Sequence, residues 1–468
     1  MFVQQKSVGI TLAIVSLLSC PVSAEQWKIL GTRPMGMGGA FVAMAQGPMA
    51  QYWNPAGLAL VSVETVSGIE IPIGAGVEMT GDVMKNASAI GDMASKFGSM
   101  TDAQKTGKAV NADQMAAFVK TLTLLDDMNE KGKGALFEVA GGVNIKLSKI
   151  AVSVNNFTTI GMNPFVDVEN IGLGASVESG TNGVQFDGDD GVDAGTLTNE
   201  SYSTARDAIG QAIDTIGWDN LKALMGGSLT AKDGAINNAE QFANALVNKA
   251  IQQGMSEQDV TTAANILDQY AADAKSIITV AATSTNSYTN NKSSLTVDTA
   301  SFMEIAFGCG RFVKFLDGLS IGGNLKMING CIGYDKFEFM EESQTQDAFN
   351  DTNSITKTSW APSIDLGFLW DVNKRYPKLP MRPKVGLVIR NITSPSFDRP
   401  GTTGGTYRLD RQARLGVALK PAKFWNLLMD IDVTKNKTAV KGFDSQQFAL
   451  GTEINIINHK QFNIPLRL

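Results

Sequence analysis

The sequence predicts an all-β transmembrane barrel with two α-helical insertions and a compact, irregular N-terminal unit. Three observations carry that prediction: a secretory leader, a period-2 alternation repeated over most of residues 299–457, and no uninterrupted apolar stretch able to cross a bilayer as a helix in the exported chain.

The leader comes first. Lys6 supplies a positive n-region, Val8 to Leu18 an apolar h-region, and Val22-Ser23-Ala24 a small-x-small cleavage pattern, so residues 1–24 read as a signal peptide. The uncharged run Ser7–Ala24 could also be an uncleaved anchor, and Leu17-Leu18-Ser19-Cys20 resembles a lipobox with Cys20 as the lipidated residue. Pro21 directly after Cys20 and the better-placed Ala24 favour cleavage. Removing the leader takes away one Lys and no acid, moving the net charge from −6 to −7. A pI near 5.1 excludes a general nucleic-acid binder, which needs a Lys/Arg surplus against phosphates. His459 is the only histidine, which excludes His-based metal sites and Ser-His or Cys-His catalysis unless that one residue does everything. No enzyme, cofactor or metal is expected.

Residues 34–63 carry no charge, but five Gly and three Pro interrupt them, with Gln46, Gln51 and Asn54 inside. A lipid-exposed helix cannot carry so many breaks, so this stretch must be buried in protein or packed as an irregular unit. Strands are expected at Glu64–Ile73, Ala135–Leu147 and Lys149–Thr158. Later ones alternate cleanly. Leu319, Ile321, Leu325 and Met327 oppose Ser320, Gly322, Asn324 and Lys326, while Trp425, Leu427, Met429 and Ile431 oppose Asn426, Asp430 and Asp432. Ile364–Asp371, Lys384–Asn391 and Arg414–Lys420 behave alike. A soluble sandwich also alternates, with its apolar face inward. Here the apolar segments run about nine to eleven residues with aromatic residues near their ends, which fits tilted membrane strands with a polar lumen. Ile71-Pro72-Ile73 marks an edge, a bulge, a break or simply a strand end, because Pro cannot donate to a ladder.

Between the strands, Thr101–Asn129 places Met115, Phe118, Leu122 and Leu125 at helical spacing. Ser201–Ile278 is a longer helical run, with a capping box at Ser256-Glu257-Gln258-Asp259. Both look water-facing. Cys309 and Cys331 fall on consecutive strands joined at Leu316-Asp317-Gly318. In that register Cys309 faces a residue near Leu325, so two unbridged small residues are expected on the outer face. Gly36-Met37-Gly38-Gly39 lacks the strand and the Lys-Ser/Thr of a phosphate loop. Asp187–Asp193 lacks the Gly and Glu of a calcium loop and reads as a solvated turn. Asp430 and Asp432 share a strand face, as a catalytic carboxylate pair would; a wetted lumen gives the same pattern.

Gly31-Thr32-Arg33-Pro34-Met35-Gly36-Met37-Gly38-Gly39-Ala40, followed by Tyr52-Trp53-Asn54-Pro55-Ala56-Gly57-Leu58, resembles the opening of the FadL-type outer-membrane transport superfamily, which includes TraF-like conjugal-transfer and PorV-like branches. Tyr407–Gly416 and Asp430–Asn436 look more like the TraF branch. The resemblance implies that the N-terminal segment folds into the lumen as a plug, with Gly36, Gly38, Gly39, Asn54, Pro55, Ala56 and Gly57 as plug residues gating a ligand. Lateral passage through the wall makes Pro72 the candidate wall break. Barrels of this kind close with about fourteen strands and end on an aromatic residue, whereas Leu468 follows about eleven to thirteen strand candidates. Either the barrel is smaller or the sequence stops before closure.

The expectation is therefore an all-β transmembrane barrel of about 12–14 antiparallel strands. It comprises a signal peptide at 1–24, a plug at 25–63 and a barrel at 64–468, with helical insertions at about 80–130 and 198–285. Its expected place is the bacterial outer membrane, in contact with outer-membrane lipid. The expected role is passive uptake of a hydrophobic small molecule, as in long-chain fatty-acid transporters. The alternative is a TraF-like or PorV-like component of a conjugation or secretion system, partnered by its proteins. An apolar pocket beneath Asn54–Leu58 would speak for uptake; a polar, filled lumen with an apolar patch on the insertions would speak for assembly.

Overall fold

The computed structural model describes residues 23–61, 66–86, 88, 103, 106–170, 184–283, 291–338, 355–401, 405–458 and 463–468. The leader's h-region, Cys20 and His459 lie outside the described residues. Among the described residues, twelve antiparallel strands form one sheet: β1 (Ser67–Glu70), β2 (Ile73–Thr80), β3 (Gly134–Leu147), β4 (Ile150–Phe165), β5 (Ser294–Phe312), β6 (Leu319–Glu338), β7 (Thr356–Asp371), β8 (Lys384–Arg390), β9 (Gln412–Ala422), β10 (Trp425–Asp432), β11 (Phe448–Asn458) and β12 (Asn463–Arg467). Each strand pairs with its neighbours in sequence, except that β1 and β2 both lie against β3. The count falls within the expected range. Several strands outrun their sequence limits, because β4 to β7 continue beyond their apolar alternation.

The sheet is inside-out relative to a soluble protein. Leu325 is 65% exposed and Val77 64%, while Lys326 on the opposite face is 5% exposed and Arg414 and Asp430 are each 1% exposed. Period 2 makes this division automatic once one face meets lipid and the other a filled lumen. Connections alternate in length. Ser148-Lys149 and Lys423-Phe424 are tight turns at one end, whereas residues 81–133, 166–293, 391–411 and 433–447 separate strands at the other. Exposed or half-buried aromatics (Phe312, Phe315, Trp370, Phe424 and Trp425) gather at the short-turn end. In the β5–β6 register Cys309 lies opposite Gly323 and Cys331 opposite Ser301, and both thiols are free.

The helical insertions are not separate. Helices α1 (Ala112–Asp127), α2 (Ser203–Ile216), α3 (Trp218–Leu224), α4 (Ala239–Gln252) and α5 (Glu257–Thr283) share one core, into which Phe118, Ile213, Phe242 and Leu267 all project. Each amphipathic stripe covers another, so one domain stands at the long-loop end. Helix α1 starts at Asn111, whose side chain accepts from Gln114 N while the Gln114 side chain accepts from Asn111 N. Helix α5 starts on the expected box: Asp259 N donates to Ser256 Oγ and Ser256 N to Asp259 Oδ2. The run 201–278 is broken after Ile216 by Gly217 (φ 111°) and again by Gly254 (φ 79°), both at positive φ, which glycine adopts without steric cost. No described helix is long and apolar enough to cross a membrane.

Candidate functional site: the filled lumen

The N-terminal segment runs through the lumen. Residues 23–25 pair in parallel with 435–437 in a long loop, and Leu60 O accepts from Lys146 Nζ near the short-turn end. Between them the chain folds as short turns rather than a helix. Gly38 and Gly39 take φ of 57° and 87°, and Asn54 caps the turn Pro55–Ala59 by accepting from Ala56 N at 3.1 Å. The wall leaves room for it with glycines. A Cβ on Gly310, Gly322, Gly367, Gly386, Gly416 or Gly451 would sit 2.5–2.8 Å from Ala59 N, Ala56 N, Pro55 Cδ, Val42 O, Val42 Cβ and Met37 O respectively. Backbone lies directly on backbone across six strands of the wall.

Polar side chains of the wall hold the plug through its main chain. Asp430 Oδ2 accepts from Phe41 N (2.7 Å) and Val42 N (2.9 Å). Asn324 Nδ2 donates to Gln51 O (2.9 Å) and to Asp365 (3.0 Å), and Asn54 Nδ2 donates to Phe368 O (3.0 Å) and Val42 O (3.2 Å). Asp430 thus faces the plug's main chain rather than a wetted lumen. Asp432 instead accepts from Arg414 Nε at 2.5 Å.

A second layer combines ions and rings. Trp27 is 1% exposed and lies between two guanidinium groups, Arg390 at 5.1 Å and Arg414 at 4.8 Å from the ring. Arg390 also faces Tyr52 at 4.4 Å and donates to Glu304 at 3.1 Å. Lys326 bridges Glu304 (3.3 Å) and Asp365 (3.0 Å). Nearer the seam, Arg33 grips Glu453 with two bonds of 2.9 and 2.8 Å, and Arg467 donates to the same carboxylate at 2.8 Å. Charges this deep persist only when paired and hydrogen-bonded.

The predicted plug residues are all here. Gly36 lies against Arg467, Gly38 against Leu450 O, and Gly39 against Ile29, while Asn54, Pro55, Ala56 and Gly57 are buried. No apolar pocket opens beside Asn54–Leu58 among the cavities described. The largest described cavity, about 240 Å³, lies elsewhere and is lined by Trp27, Lys28, Ile29, Met35, Gly74–Gly76 and Glu138, among others. It sits at a seam: β1–β2 and β12 are the two ends of the sheet, and among the described residues they do not pair with each other. The plug lines this seam, with Ile29 O beside Gly74. Pro72 lies on the β1–β2 edge. Its register with β3 runs unbroken from Glu70–Asn144 to Ile73–Gly141, and its carbonyl accepts from Gly142 N at 3.1 Å.

Sequence reasoning put Trp27 and Tyr52 in the plug without a role of their own, did not single out Glu304, and gave Arg390, Arg414 and Lys326 a face without partners. The one available signal was recurrent charge on the polar side of apolar-alternating strands. In the helical domain, Asp187 accepts from Thr230 Oγ1 at 2.7 Å, and no group of three or more possible metal ligands occurs among the described residues. Among the described residues of the insertions the exposed large apolar side chains are Met84 and Val280, so no broad apolar patch of the kind expected for an assembly role is present there.

The family described as "F plasmid transfer operon, TraF, protein" matches residues 167–432, more than half of the chain. No curated protein matches it. Among solved structures it is similar to one described as "Crystal structure of a Pseudomonas aeruginosa FadL homologue", at 9% identity, covering 94% of this chain and 88% of that one, with a TM-score of 0.32. So loose a superposition adds nothing to the wall and lumen described above.

Proposed function

The chain belongs to the TraF family of plasmid-transfer proteins, and from that premise we propose that it is an outer-membrane barrel with a permanently filled lumen, serving as a structural component of a conjugation-type apparatus. The observation that carries this reading is the lock between Asp430, Asn324, Asn54 and the plug backbone, which leaves the lumen occupied by protein. The apolar outer face and the aromatic ring at the short-turn end support a place in a bilayer. The helical domain supports a water-facing docking role: residues 184–283 carry fourteen Asp/Glu against five Lys/Arg. On this reading, deleting the gene abolishes plasmid transfer without changing uptake of a labelled long-chain fatty acid. The tagged protein also co-purifies with channel proteins of the apparatus.

One observation favours a second reading, passive uptake of a hydrophobic small molecule. The 240 Å³ cavity at the seam sets Ile29, Met35 and Ala75 beside the outer face of the wall. Lost fatty-acid uptake in a deletion strain with normal plasmid transfer would replace the first reading by the second. Pro72 would then belong to the route, as an edge residue that needs no ladder partner for its nitrogen.

A further inference from the structure

The plug is not the only thing in the lumen. Between β8 and β9 the chain makes a hairpin in which Ser396–Asp398 pairs with Thr406–Arg408, and this hairpin folds inward. Phe397 is fully buried, with its ring 5.2 Å from that of Phe302. Gly330 of β6 makes room for it, since a Cβ there would stand 2.7 Å from Phe397 Cγ. Tyr407 on the returning strand reaches the same Phe302 ring at 5.7 Å, and Leu409 is buried beside it. Polar ties hold the hairpin down: Asp398 N donates to Ser359 Oγ (3.1 Å), and Arg399 lies 3.8 Å from Asp298. At its root, Asn391 and Ser394 take φ of 52° and 47°, a sharp turn with side chains in the left-handed region.

This apolar cluster is distinct from the plug's own core. The two meet across a small cavity of about 20 Å³ bounded by Gln26 and Lys28 from the plug and by Asn391 and Leu409 from the hairpin. We propose that the two described arms of this hairpin, 395–401 and 405–409, form a second seal of the barrel, closing the long-loop end of the lumen independently of the N-terminal plug. It also gives a physical role to Tyr407-Arg408-Leu409. The proposal concerns the lumen alone and stands whether or not the chain serves in plasmid transfer.

Planar-bilayer conductance of the purified full-length protein tests it, in a Cys309→Ser/Cys331→Ser background. One variant loosens the plug (Arg33→Ala with Asn54→Ala). A second loosens the hairpin (Phe397→Ala, with Gly330→Leu as an alternative that leaves the hairpin sequence intact). A third combines both. Neither single perturbation conducts above the parent protein, whereas the combination shows open-channel steps. Adding Ser359→Cys with Asp398→Cys, at two positions that the hydrogen bond from Asp398 N to Ser359 Oγ (3.1 Å) holds together, abolishes those steps under oxidation and returns them on reduction. Heat-modifiability on gels confirms that each variant is folded. Conductance from plug loosening alone overturns the proposal. So does a folded combination that stays closed, or a channel indifferent to the tether.

Discussion

Asn54→Ala isolates what the plug gains from the wall. The side chain is fully buried and makes three bonds: it caps Ala56 N, donates to Val42 O within the plug, and donates to Phe368 O on β7. Loss of a cap costs about 1 kcal/mol. Two buried carbonyls deprived of a neutral donor add about 1 kcal/mol each, for roughly 3 kcal/mol in all. If the cost falls on local opening of the plug, backbone amides of 54–60 exchange with solvent about a hundredfold faster, because each factor of ten corresponds to about 1.4 kcal/mol. Hydrogen exchange in detergent micelles, read by mass spectrometry, separates these amides from those of β5 and β6, whose rates stay unchanged. Asn54→Asp keeps the cap but points a carboxylate at two carbonyl oxygens, so it opens the plug at least as much. Unchanged exchange in 54–60, or equal acceleration in plug and wall, would refute the idea that the plug is held as a separately opening unit.

Three further outcomes follow from the same geometry. Arg414→Met strands the buried Asp432 carboxylate and lowers resistance to urea by about 3–5 kcal/mol, and Arg414→Met/Asp432→Asn recovers part of it. Gly322→Val drives a side chain into Ala56 N and costs about 1–3 kcal/mol in the same unfolding measurement, with faster exchange at 55–59. In the helical domain, burial pushes the Asp233 carboxyl up, but the N–H groups of Ala194 and Gly195 outweigh it and hold the pKa below the ordinary value. A carboxylate depressed on folding contributes stability above its unfolded pKa of about 3.9 and loses it as pH falls through the lower folded value. Protection of the Ala194 and Gly195 amides therefore drops below about pH 4 in the parent protein, and Asp233→Asn removes that pH dependence.

How much of this was legible follows from what each pattern encodes. Period 2 tells which way a side chain points, so Leu325 outward and Lys326 inward were readable. It is silent on what lies across the lumen, and the partners of Asp430 are 388 and 389 residues away in sequence. The stripes of α1 and α5 show that each helix needs a cover, but not that they cover each other. The inward hairpin was invisible because its strands are three residues long, too short for any period, and its anchor is the single ring of Phe397. Only the uncharged stretch 34–63 looked anomalous from the start, and the lumen explains it. Within that stretch the wall supplies the carboxylate and amides, at Asp430 and Asn324, and the plug answers with main-chain N–H and C=O groups. A segment recognised through its backbone on a floor of glycines needs sharp turns and small residues more than charge. An added Lys or Asp at those contacts would have to find a partner in a lumen whose ions are already paired.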